Sequence, residues 1–192
     1  MMKRSYYYLP FNPEAKIDYL NLLAFHDIAE YREEAKAYDT IHYSSVNELA
    51  ERLCLSSSTV TRILNNDKYS YFMGVDKENK TIRLYCSFPK GQKAAFVRLT
   101  ASEVEIIREQ EKDQNLLAKY LIYMKYYCGF SKNKKTDFTA TQFLTACGYS
   151  VKSNTNFDRL TAFNSLLSEK GIIKIEKWTD SAGHTRNTYS FI

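Results

Sequence analysis

The sequence predicts an α+β fold, mainly helical with small β-hairpins, organised as two tandem units over residues 1–95 and 96–192. Three observations carry this. A pair of short apolar periodicities flanks a serine-rich hinge in "SVNELAERLCLSSSTVTRIL", residues 45–64. Two Tyr/Phe/Ile-rich runs around the turn-forming "DKEN" follow at residues 69–88. The same succession then returns, with Leu144, Gly148, Tyr149 and Ser150 repeating the spacing of Ala50, Cys54, Leu55 and Ser56, 94 positions later.

In chain order, "PFNPEAKIDYLNLLAFHDIAEY" opens with Asn12 as a helix cap, Pro13 at the first helical position and Glu14 where the dipole favours an acid. Ile17, Leu20, Ala24, Ile28 and Tyr31 form its expected apolar stripe. "TIHYSS" reads as a strand, and the two short helices of the opening stretch follow, each of roughly eight to ten residues. Helix, strand, helix, helix, hairpin is the order of a winged helix. After the connector "PKGQKAA", "TASE" is a capping box in which Thr100 caps and Glu103 reaches back, so a connecting helix is expected at about residues 101–112.

The second unit continues with a stripe of Leu117, Tyr120, Leu121, Met124 and Cys128, ended by Gly129. "TATQ" at 139–142 is another capping box. A polar hinge and a long helix from about Asn156 come next, with Phe157, Leu160, Phe163 and Leu167 on its buried face and Gly171 at its end. "IIKIEKW", "TDSAGH" and "TRNTYSFI" make the second hairpin.

Charge and composition narrow the function classes. The chain carries +5 overall; residues 1–95 hold 13 Lys/Arg against 12 Asp/Glu, and residues 96–192 hold 14 against 10. A basic excess permits a polyanionic partner. Cys54, Cys86, Cys128 and Cys147 lack metal-ligand or disulfide spacing and read as small core residues. No signal peptide or membrane-length apolar run occurs, so the expected compartment is the cytoplasm, with no membrane partner. There is no phosphate loop, no G-x-S-x-G and no His/carboxylate cluster. His26, His42 and His184 therefore read as surface or core, and neither an enzyme, a cofactor nor a metal is expected.

The second helix of the opening stretch places Val60, Ile63 and Leu64 on one side and Ser58, Thr61, Arg62 and Asn65 on the other. Short hydroxyls and an amide around one guanidinium suit phosphates and base edges in a major groove. Keeping an exposed helix soluble is the other use of such residues. With Ser57 and Thr59 at the helix start, these form the first candidate DNA-binding set. In the second unit the long helix turns Asp158, Ala162, Ser165 and Glu169 outward, and its acids repel phosphates. Candidates there are Lys152, Asn154, Thr155 and Arg159 at the hinge and helix start, with Lys174, Lys177 and Arg186 on the hairpin and Lys132, Lys134 and Lys135 before it. Among the sixteen tyrosines, Tyr120, Tyr127 and Tyr149 are assigned to cores, while Tyr6, Tyr7 and Tyr8 can add a strand or supply a homodimer contact.

On these residues "VNELAERLCLSSSTVTRIL" resembles bacterial helix-turn-helix segments. The order from "KYLIYMKYYCGFSKNKKTDFTATQFLTACGYS" through "LLSEKGIIKIEKW" is similar to the tandem winged-helix proteins of Gram-positive mobile elements, among them plasmid-type replication initiators. The resemblance implies sequence-specific binding of double-stranded DNA at repeated sites and recruitment of host replication proteins. Cys54 departs from the glycine frequent in such turns. A transcriptional regulator, pairing as a symmetric dimer on a palindrome, is the rival within DNA binding. A winged-helix module that binds protein alone is the rival outside it.

Overall fold

The computed structural model describes residues 6–12, 17–30, 38–70, 72–85 and 95–192. They form an α+β chain with seven α-helices and three small sheets, divided into two compact units that change over between Ser102 and Glu103; Phe11 belongs with the second. None of the helices is long and apolar enough to cross a membrane.

In the first unit, β1 (Tyr6–Phe11) pairs with β5 (Ala95–Thr100), so the tyrosine run at 6–8 does become a strand. Strand β5 was not anticipated. Its two-residue alternation, with Val97 and Leu99 buried and Arg98 exposed, is short, and its partner lies some ninety positions away in the chain. Helix α1 (Tyr19–Ile28) starts later than Asn12: the Asp18 carboxylate accepts from the Leu20 amide at 3.0 Å and caps it, while positions 13–16 lie outside the described residues. The expected stripe is also displaced. Leu20, Ala24 and Ile28 are only half-buried, whereas Tyr19, Leu22, Leu23, Phe25 and His26 are buried, because the helix has neighbours on more than one side. His26 Nε2 donates to the Tyr8 carbonyl at 3.0 Å and Nδ1 lies 3.5 Å from the buried Asp39 carboxylate, tying β1 and α1 to the segment that carries Asp39.

Strand β2 (Tyr38–His42), α2 (Val46–Leu53), α3 (Ser57–Leu64), a 3-10 turn at Asp67–Tyr69, β3 (Met73–Asp76) and β4 (Thr81–Tyr85) complete this unit. Its sheet has the order β2-β4-β3, all antiparallel. Ile41, Ile82, Leu84 and Met73 on one face of that sheet are buried, as are Leu49, Leu53, Val60 and Ile63 from the helices.

The second unit contains most of α4 (Ala101–Arg108), then α5 (Gln114–Phe130), β6 (Lys135–Asp137), α6 (Ala140–Ala146), α7 (Asn154–Glu169), β7 (Ile173–Thr179) and β8 (Thr185–Phe191). Its sheet order, β6-β8-β7, reproduces that of the first unit. The Thr139 box forms as expected: the Gln142 amide donates to the Thr139 hydroxyl at 3.1 Å and the Thr139 amide to Gln142 Oε1 at 2.7 Å. Helix α5 runs past Gly129, which has no positive φ and does not end it. Its Tyr120 packs edge-on to Phe143 and donates to Asn164 Oδ1 at 2.8 Å. Tyr127, assigned to the core by periodicity, is exposed, and Phe157 is half-buried while Asn156 takes the buried place and donates to the Ser150 carbonyl at 2.9 Å. Glu103 is buried and receives Lys125 Nζ at 2.5 Å.

The two helix-turn-helix segments close in the same way. Cys54 (φ 54°) and Gly148 (φ +71°) are both left-handed, and the next amide in each returns to the helix, Leu55 to the Ala50 carbonyl at 3.0 Å and Tyr149 to the Leu144 carbonyl at 2.8 Å. Cys54 is thus not a core residue; it is exposed and occupies a conformation that costs an L side chain about 1 kcal/mol. Cys54→Gly is expected to leave stability unchanged or raise it by up to about 1 kcal/mol, and Gly148→Ala to lower it by about 1 kcal/mol, in urea unfolding of the whole chain. A clear loss in the first variant would contradict the strain assigned to this turn.

Burial pushes the Cys128 and Cys147 thiols up to about 11 and the phenols of Tyr120 and Tyr123 upward as well. Each group holds its proton more tightly folded than unfolded. Their contribution is therefore complete below the unfolded thiol value, about 9, and is lost as pH rises toward about 11. Melting temperature followed across that interval is expected to fall, and less steeply in Cys147→Ser. Parallel curves for the two proteins would remove Cys147 from the effect.

Candidate nucleic-acid interface

Helix α3 exists because Ser56 caps it: the Thr59 amide donates to Ser56 Oγ at 3.2 Å, and the Ser58 and Thr59 hydroxyls lie 3.0 and 2.9 Å from the same oxygen. Val60 and Ile63 are buried and anchor it; Leu64 is half-buried. Both ends are pinned by polar contacts. At its start Ser57 Oγ donates to Asn47 Oδ1 of α2 at 2.8 Å, and at its end Asn65 Oδ1 accepts from Lys77 Nζ of the hairpin turn at 2.7 Å. Ser57 and Asn65 therefore set the pose of the helix.

Between these pins, Ser58, Thr61 and Arg62 are exposed on one side. The side chains of Thr61 and Arg62 have neither a hydrogen bond nor an ion pair among the described residues. A guanidinium presented without a carboxylate keeps its full charge and all five donors for an external acceptor.

The hairpin turn adds two cations that the sequence reading passed over. In "DKENK" Asp76 is occupied by Asn79, whose amide and side-chain nitrogen donate to it at 2.9 and 2.8 Å, and these bonds hold its carboxyl below the usual range. Lys77 and Lys80 instead make bonds to neutral oxygens, Lys80 Nζ donating to the Ser44 carbonyl at 2.7 Å, so neither charge is cancelled by its partner. The signal was present as a turn containing two lysines, but only the fold turns them toward α3. Between α3, the start of α2 and this turn lies a cleft of about 440 Å³ lined by Tyr43, Val46, Thr61, Leu64, Lys77 and Lys80, among others. Burial, with Asp76 nearby, raises the Tyr43 phenol and keeps it protonated.

The second unit is organised differently. Asp158, Ala162, Ser165 and Glu169 are all exposed on α7. Four of its candidate cations already have carboxylates: Arg159 Nε lies 2.9 Å from Asp113, Lys174 Nζ 3.0 Å from Glu176, Arg186 Nε 2.9 Å from Asp180 and Lys135 Nζ 2.7 Å from Glu176. The two ammoniums beside Glu176 hold that carboxyl below its usual range. Exposed pairs of this kind contribute roughly 0–1 kcal/mol and open readily, but they reduce the field a polyanion meets. The side chains of Lys152, Asn154, Thr155 and Lys177, and those of Lys132 and Lys134 in the loop before β6, are exposed without such partners among the described residues.

His42 and His184 are exposed and His26 is buried. Among the described residues no group of three or more His, Cys, Asp or Glu is placed to hold a metal ion. Compared with protein-family models, with curated proteins and with solved structures, the chain finds no match.

Proposed function

We propose that the chain binds double-stranded DNA sequence-specifically as a tandem winged-helix protein, with α3 in the major groove and the β3–β4 hairpin against the backbone. The outward face of α3 is the observation that carries this reading. Its eight residues span about 12 Å, the width of one groove crossing. Arg62 in its last turn has the fork that pairs with guanine O6 and N7, and Ser58 and Thr61 reach phosphates or base edges. The neighbouring cleft suits one sugar-phosphate: Val46 and Leu64 meet the deoxyribose, and Lys77 and Lys80 meet the phosphate. In the second unit Lys152, Asn154 and Thr155 around the start of α7, and Lys177 on β7, make further backbone contacts, because the acidic middle of α7 repels DNA.

Two such units on one chain can occupy direct repeats without dimer symmetry. That property supports a role in initiating or controlling replication of a plasmid or integrated mobile element, with host replication proteins as further partners.

Arg62→Ala is expected to cost about 1–3 kcal/mol in affinity for a selected duplex, with relaxed preference at one base position. Wild-type affinity should fall steeply between about 50 and 200 mM salt. A shallow salt dependence, or undiminished binding by the variant, would count against the α3 reading. Selection of fragments from a random DNA pool separates the biological roles: enrichment of direct repeats supports an initiator, and a palindrome would instead identify a transcriptional regulator acting as a dimer.

A further inference from the structure

The second hairpin carries a side chain that duplex binding leaves unused. The register of β6-β8-β7 sets Lys135, Ser190 and Lys174 in one row across the sheet, Asp137, Thr188 and Glu176 in the next, and Arg186 with Trp178 in the third. Alternation along each strand puts all eight on one face. The opposite face holds the buried Ile173 and Tyr189. On the open face Trp178 is 43 % exposed, although tryptophan is a residue whose large apolar area is normally covered.

Its geometry is that of a fixed plate. The indole N–H, the ring's sole polar group, donates to Thr188 Oγ1 at 3.0 Å, so the ring is held at one edge and leaves no polar atom to satisfy. Two classes of partner use an exposed indole. A protein interface needs an apolar centre and is depleted in lysine. Trp178 has no apolar neighbour on this face: its row-mate is Arg186, and Glu176, Thr188 and Lys174 follow.

A nucleic acid needs the reverse, an isolated aromatic plate among cations. Residues 131–192 hold nine Lys/Arg against five Asp/Glu. Lys135 and Lys174 share the single carboxylate of Glu176, leaving one positive charge on that trio. In a duplex the base faces are covered by one another, whereas an unpaired base offers its face to a side chain.

We infer that the open face of the β6-β8-β7 sheet is a stacking platform for single-stranded DNA or RNA, with an unpaired base on Trp178 and the backbone drawn by Lys174 and Lys135. This site uses no residue of α3 and stands or falls separately from the duplex reading.

Trp178 is the chain's single tryptophan, so its emission reports on this face alone. The full chain titrated at constant ionic strength with single-stranded oligothymidylate is expected to show saturable quenching, and little with duplex or with inorganic polyphosphate. By anisotropy of a labelled oligothymidylate, Trp178→Ala should lose about tenfold in affinity and Trp178→Phe should keep most of it. Arg62→Ala should quench as the wild type does, even where it no longer binds duplex. Absent quenching, equal quenching by duplex or polyphosphate, or wild-type affinity in a Trp178→Ala protein of unchanged melting temperature would each overturn the proposal.

Discussion

The outward face of α3 depends on how α2 ends. A helix that stops on a left-handed residue reverses its direction within two positions, because the next amide folds back to the last free carbonyl. Cys54 makes that stop, Leu55 makes the returning bond to Ala50, and α3 begins at Ser57. The spacing leaves no slack. Each residue turns a helix by about 100°, so a start one position later would rotate Val60 and Ile63 out of the core and carry Arg62 toward it. Unit two uses the same stop at Gly148, where the conformation is free of side-chain cost. The first unit keeps a cysteine there and accepts the strain, which the burial of Leu49, Leu53, Val60 and Ile63 on both sides of the turn over-determines.

Charge compensation then differentiates two units whose three-stranded sheets share one strand order. In the first, the lysines next to α3 bond to a carbonyl and an amide, and the nearby Asp76 is spent on Asn79. In the second, Arg159, Lys174, Lys135 and Arg186 each meet a carboxylate. Formal charge points the other way, since the second half of the sequence carries more of the excess. What an approaching polyanion senses first is charge that is not already paired: in the first unit that charge lies on α3 and the adjoining hairpin turn, whereas in the second it falls to Lys132, Lys134, Lys152 and Lys177, in the loop, the hinge and β7.

Local signals were legible in the sequence and distant ones were not. The serine cap at Ser56, the box at Thr139, the hairpin around "DKEN" and the 94-residue correspondence of the two turns are all set by residues within a few positions, and each appears in the structure. The start of α1 was misplaced because Asn12 and Pro13 have the residue types of a helix start, whereas the capping bond is made by Asp18, six positions later. Strand β5 was missed because its partner β1 is contributed from the far end of the same unit. Within the candidate site, residue type correctly separated the exposed Ser58, Thr61 and Arg62 from the buried Val60 and Ile63. It could not show that Ser57 and Asn65 are committed to Asn47 and Lys77, because those partners stand ten and twelve positions away.

Length completes the divergence. Helix α3 has eight residues and its hairpin strands four and five, whereas α7 has sixteen and its strands seven each. A short, uncompensated helix can enter a groove end to end. A long helix with Asp158 and Glu169 on its outer side cannot lie along one without bringing carboxylates to phosphates. The extra strand length does supply something the first hairpin lacks, three full rows of side chains on an open sheet face. In the first unit Tyr85 lies across Gly74, where an added Cβ would sit 2.6 Å from its hydroxyl, so the aromatic is folded down onto its own sheet. In the second unit the aromatic stands at the far row, tethered by its N–H and open above. On the proposed readings, the first unit offers a helix to the edges of paired bases and the second a sheet face to the faces of unpaired ones, the two surfaces in which paired and unpaired bases differ.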